Sequence, residues 1–172
     1  MAEACPPSSA AAPSWFALRL RSNQDFKVAE TLGRRGFICF LPFYKETNRW
    51  SDRIKVIHRP FFPGYLFIQT EQTRFAEVVA TQGVVQILPS SLNPSEIPDR
   101  EIRNLRTALD SRLTVSPHPY VIGSKVILDS GPLAGCEGIV VRTKGSTKLV
   151  VSIEILQRSC AVEIDHASLK AA

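Results

Sequence analysis

The chain has 172 residues, 44% of them apolar and 22% charged, with a net charge of +5. That balance is too apolar for a disordered segment and fits one ordinary domain or two small ones. No run approaches the ~18–20 apolar residues of a membrane-crossing helix, and the opening MAEACPPSSAAAPS has neither the basic nor the apolar part of a secretory signal. The expectation is a cytoplasmic protein without membrane contact, led by a disordered tail over residues 1–13.

The positive excess is local. Between Ser14 and Thr114 there are 15 Lys/Arg against 10 Asp/Glu, and from Val115 onward 6 against 5. Lys45, Arg49, Arg53, Lys55 and Arg59 crowd one segment, either a solvated basic hairpin or a surface near phosphates. The cysteines (Cys5, Cys39, Cys136, Cys160) form no C-x-x-C pair, and the histidines (His58, His118, His166) lie far apart. A zinc site, a disulfide framework and a histidine-based catalytic motif therefore have no support. No phosphate-cradling glycine loop and no G-x-S-x-G is present. The expectation is a protein that is not an enzyme and needs no cofactor.

In chain order, Trp15 to Arg21 reads as a strand. Ser22 is the expected cap of a helix running to about Arg35, with Phe26, Ala29 and Leu32 as its apolar stripe and Gly36 as its left-handed stop. Phe37 to Tyr44 is a second strand, placed near an edge or a bend by Pro42. The polar segment 45–60 contains a hairpin arm, RIKVIH, and Pro63-Gly64 forms a turn. Tyr65 to Gln69 is a strand, 73–81 a short helix and Val84 to Leu88 another strand. Pro98 opens a last helix with Asp99 and Glu101 at its positive end and Ile102, Leu105 and Leu109 on its buried face. This order predicts an α+β domain, an antiparallel sheet flanked by helices. VSPHPY, with two prolines in six residues, reads as a linker over 115–120. Beyond it, SKVIL, GIVVRT, KLVVSIEI and CAVEID are short strands between tight turns, the texture of a small β-barrel rather than helices.

FFPGYLF, residues 61–67, concentrates four aromatic residues in a chain that is 8% aromatic. Alternation along the strand sends Leu66 and Ile68 to the helices and turns Tyr65 and Phe67 to the other face, beside Phe62. Two arrangements satisfy this pattern. Either that face is covered from within the chain, or the rings form an open docking patch for another molecule.

SWFALRLR followed by a helix, then FLPFY, a basic segment, FFPGYLF and VVATQGVVQIL together resemble the N-terminal domain of the NusG family of transcription elongation factors. VIGSKVILDSGPLAGCEGIVV is similar to that family's KOW motif, with Gly123, Gly131, Gly135 and Gly138 at its turns, and VVSIEILQRSCAVEID to the closing strands of the same SH3-like barrel. The resemblance spans roughly residues 14–170 and implies a polymerase-binding domain over 14–114 and a barrel over 121–172.

The resemblance also implies a function. A monomer would ride on RNA polymerase and suppress pausing and termination. Trp15, Phe62, Tyr65 and Phe67 would dock on the clamp helices of the largest subunit. Arg21, Lys27 and Arg34 would face upstream or non-template DNA. Leu133, Ile155, Leu156 and Arg158 of the barrel would meet termination factor Rho or a small-subunit ribosomal protein. Two features depart from the family pattern. Cys136 and the region of Leu156 lack the rings that housekeeping members carry in the barrel. Arg74-Phe75-Ala76-Glu77 replaces the hydroxyl-rich run with which specialised RfaH-like members meet the polymerase gate loop. The stretch from Val78 to Arg106 nonetheless looks closer to those specialised antiterminators. The competing class is a free-standing RNA- or ribosome-binding KOW protein, in which the aromatic residues would stack on bases.

Overall fold

The computed structural model describes residues 12–49, 54–90, 93–111, 113, 115–119, 126–128, 131–143 and 146–164. The predicted Cys5, Arg53, Gly123 and His166 lie outside the described residues.

The first part contains β1 (Ser14–Leu20), α1 (Asp25–Arg34), β2 (Ile38–Phe40), β3 (Phe43–Arg49), β4 (Ile54–Pro60), β5 (Tyr65–Thr70), α2 (Phe75–Val79), β6 (Val84–Ile87), β7 (Pro89–Ser90), β8 (Asn93–Pro94) and α3 (Asp99–Asp110). Its main sheet is antiparallel in the order β2-β5-β1-β6. β1 sits inside the sheet because it is apolar on both faces. β3 and β4 form a separate hairpin, and β7 and β8 a two-residue one.

Pairing of Phe16 with Ile68 and Leu18 with Leu66 puts these four side chains on one face, and Leu20 follows by alternation. They pack with Val28 and Leu32 of α1 and Val78 of α2 in one buried cluster. The opposite face carries Trp15, Ala17, Tyr65 and Phe67, as alternation predicts for Tyr65 and Phe67.

The predicted stripe of α1 is corrected. Phe26 points outward, 43% exposed, while Asp25, Val28 and Leu32 are buried. A spacing of three falls about 60° short of a full turn, so Phe26 lies about 120° around the helix from Leu32. Asp25 turns inward because its Oδ1 accepts the Gly64 N–H at 2.7 Å. Gln24, not Ser22, occupies the cap position, and it makes no side-chain cap bond. Gly36 takes the left-handed stop at φ +83°, with Phe37 N–H donating back to Leu32 O.

The second part is an antiparallel five-stranded sheet in the order β10-β11-β12-β13-β9, formed by β9 (Val115–Pro119), β10 (Val126–Ile127), β11 (Glu137–Thr143), β12 (Ser146–Ile153) and β13 (Arg158–Ile164). The β-branched run favours strands here, as predicted. The segment read as a linker is itself a strand. Val115 to Pro119 pairs with Val162 to Arg158 along β13. Pro117 and Pro119 are two apart, so both missing donors fall on the outer side of an edge strand, where no ladder bond is lost. Gly138, expected at a turn, lies within β11, where an added Cβ would stand 2.7 Å from Val150 O.

Candidate functional site

The second face of the main sheet gathers most of the aromatic side chains. Phe62 and Phe67 meet edge to face at 6.0 Å, Phe40 stacks on Phe67 at 6.0 Å, and Tyr44 lies 5.0 Å from Phe61. Trp15 borders them through its strand, and its carbonyl accepts the Ile97 N–H at 2.7 Å. The structure thus brings all four predicted docking residues to one face.

That face is not open, which corrects the expectation of exposed rings. Phe62 and Phe67 are fully buried, Trp15 retains 5% of its surface and Tyr65 is half-buried. Ile102, Leu105 and Ala108 of α3 are buried in one cluster with them. The same buried cluster continues into the β-domain through Leu133, Cys136, Leu149, Val151, Ile153 and Leu156. Burial of apolar surface drives this closure at about 25 cal/mol per Å².

Polar contacts fix how the two parts meet. Glu101, buried in the first turn of α3, accepts the Glu154 N–H on Oε2 at 3.2 Å. Asn104 Nδ2 donates to Glu137 O at 3.2 Å, and Arg100 lies 3.4 Å from the Glu137 carboxylate. The Arg106 guanidinium sits 5.0 Å over Trp15 and 4.9 Å over Phe40, and Arg158 reaches from β13 to 5.5 Å over Tyr65. These cation–π contacts cap the ring cluster with charge that stays in water.

Leu133 and Leu156, expected to await an external partner, are buried in this cluster, and Ile155 is half-buried. Arg158 is exposed. Of the predicted DNA contacts, Arg21, Lys27 and Arg34 are all exposed. Arg34 is paired with Glu30 one turn back.

In the place of the gate-loop run, Arg74 binds Glu77 at 2.9 Å, and its guanidinium lies 3.9 Å over Phe37. The hydrogen bond from Arg74 holds the Glu77 carboxyl below its ordinary range. Phe75 packs edge to face on Phe16 at 4.9 Å. This segment is used internally.

Sequence reasoning missed Glu101 and Arg106 as contact residues. Glu101 was legible only as a helix-dipole partner, because its acceptor role needs a backbone N–H 53 residues away. Among the described residues no group of three His, Cys, Asp or Glu is placed to hold a metal ion, and no helix is long and apolar enough to cross a membrane.

An α+β part with a ring-lined sheet face is closed by an all-β part of the same chain. The family model described as "Transcription termination factor nusG" matches residues 13–106, and the chain belongs to the NusG family. It is similar to the transcription termination/antitermination protein NusG of Chlamydia pneumoniae, 25% identical over 155 residues covering 81% of this chain and 85% of that protein. The namesake from Staphylococcus carnosus is 23% identical over 174 residues, covering 92% and 96%. A solved structure described as "Domain interaction in Thermotoga maritima NusG" shares the fold, with a TM-score of 0.52 at 18% identity over 93% of this chain and 97% of that one.

Proposed function

We propose that the protein is a transcription elongation factor that docks on the clamp helices of the largest RNA polymerase subunit through Trp15, Phe62, Tyr65 and Phe67, and that the structure is its closed form. It acts in the cytoplasm, where it suppresses pausing and termination by strapping the polymerase clamp, without catalysis of its own. The observation that carries this reading is the shared cluster. The rings assigned to polymerase and the barrel residues assigned to a second partner, Leu133 and Leu156, are buried in one continuous core. One interface therefore masks both surfaces, and release exposes both. Membership of a family whose relatives are named for termination and antitermination supports the transcriptional role.

On this reading the β-domain is a KOW-type adaptor beginning near Val115, since β9 belongs to its sheet. Released, it presents Leu133, Ile155, Leu156 and Arg158 to Rho or to a small-subunit ribosomal protein. Arg21, Lys27 and Arg34 lie along upstream or non-template DNA and contribute counterion release rather than sequence readout. Each binding event shifts the population toward the open form, so polymerase and the second partner favour one another.

The test is binding of an isolated clamp-helix fragment to the full chain. Tyr65 is the useful position, because it is half-buried and its loss leaves the core intact. Tyr65→Ala also removes the ring beneath Arg158, so it is compared in a Glu101→Ala background in which closure is already weakened. Binding should fall at least tenfold, about 1.4 kcal/mol. Equal retention with and without the ring would overturn the docking assignment.

A further inference from the structure

We propose that Ile38 and Phe40 of β2, flanked by Arg106, form a strip of the docking face that closure leaves uncovered, and that the clamp helices land there first and then displace the β-domain. This rests on the docking assignment above and goes beyond it, because the partner engages the closed chain instead of waiting for it to open.

Sheet register puts the strip on that face. Gln69 of β5 pairs with Trp15 of β1 on one side and with Ile38 of β2 on the other, and Phe67 lies in the same way between Ala17 and Phe40. Directly paired residues point to the same side of a sheet, so both β2 side chains join Trp15 and Phe67. Burial falls away along each row toward β2, the edge strand. Trp15 is 5% exposed, Gln69 half-buried and Ile38 56% exposed; Ala17 and Phe67 are fully buried and Phe40 half-buried. Phe40 packs against the shared cluster, and Ile38 lies outside it. Phe40 also stacks on Phe67 at 6.0 Å, so the open strip runs without a break into the buried rings.

Arg106 marks where the cover ends. Its guanidinium bridges Trp15 and Phe40, at 5.0 and 4.9 Å, and the residue is exposed. Among the described residues no carboxylate pairs with it. The strip therefore offers apolar side chains and, over Phe40, a cation without a counter-ion. An amphipathic helix meets both demands, with an apolar residue and a carboxylate three or four positions apart on one face. A polyanion would satisfy Arg106 and leave Ile38 against water. Because the strip is continuous with the rings assigned to the clamp helices, the same partner holds it before and after the β-domain leaves. Contacts made before opening act on the association rate, and contacts made only afterwards act on dissociation.

The experiment measures association and dissociation rates of the isolated clamp-helix fragment with the full chain by stopped-flow fluorescence. Ile38→Thr keeps the β-branch and the strand preference while shortening the apolar side chain, and its exposed position spares the core. It should slow association about tenfold, and Ile38→Leu should stay within about twofold of the wild type. In the Glu101→Ala background, where the rings are open more often, the slowing should shrink to under about threefold. Arg106→Gln should reduce the salt dependence of the association rate. Wild-type association by Ile38→Thr, with Tyr65→Ala still losing binding, would overturn the strip and leave the docking assignment standing. Equal slowing in both backgrounds would overturn landing before opening. An unchanged salt dependence in Arg106→Gln would overturn the part given to Arg106. If neither Ile38→Thr nor Tyr65→Ala changes binding, the docking assignment falls and the strip with it.

Discussion

Glu101→Ala is the substitution that most directly interrogates closure. The carboxylate is buried and accepts the Glu154 N–H at 3.2 Å, bridging α3 and the turn before β13. A hydrogen bond to a charged group contributes about 1.5–3 kcal/mol. The bond exists only when the two parts are together, so its loss raises the open population by about 10–150-fold while that population remains minor. The apparent affinity of a surface available only in the open form rises by the same factor. Anisotropy of a labelled clamp-helix fragment, titrated with wild type, Glu101→Ala and Glu101→Gln, reads this directly. Glu101→Gln retains an acceptor and should fall between the other two. Circular dichroism and denaturant melts establish that all three are folded. Affinity of a folded Glu101→Ala variant equal to or below that of wild type would refute the reasoning, because the bridging contact would then not hold the rings closed.

Two further outcomes bear on the scaffold. Gly83→Ala should destabilise the first domain by about 2–4 kcal/mol in urea titrations, because the backbone sits at φ +99° and a new Cβ would stand 2.6 Å from Val28 Cγ2; a loss under about 0.5 kcal/mol, the range of ordinary surface changes, would contradict this. Burial pushes the Cys39 thiol up to about 11 and the Cys160 thiol up to about 12, from an ordinary 9.0. The folded state therefore holds protons that the unfolded state releases above pH 9, and the contribution of these thiols to stability should fall as pH rises from about 9 toward 12 and stay constant below. Alkylation at about pH 8 should be slow at both cysteines until denaturant is added, read by peptide mass mapping, and rapid native labelling of Cys160 would count against its burial.

Much of this architecture follows from periodicity alone. Alternation in β1 and β5 determined which side chains of each strand share a face, and the change from helical to strand texture determined that the last part of the chain is all-β, though its first strand reads as a linker. Local chemistry also placed the stop of α1 at Gly36, because few other residues accept that backbone. Other features were decided elsewhere in the molecule. VSPHPY reads as a linker while its prolines are judged as lost donors, and it becomes a strand once β13 offers an edge on which those donors are not needed. Phe26 reads as core and lies outside because Asp25 has a bond to make with Gly64.

The largest such decision concerns the aromatic face. Period-two patterning states that Tyr65 and Phe67 point the same way; it does not bring Trp15 of another strand beside them, and it is silent on what lies above them. The cover comes from α3 and the β-domain, each legible as amphipathic but neither carrying in its own pattern the address of the surface it buries. A pattern of period two or 3.6 records how a segment faces its neighbours in the chain. Which distant surface it meets depends on shape and on contacts such as Glu101 with Glu154 and Arg158 with Tyr65, which exist only after the chain has folded.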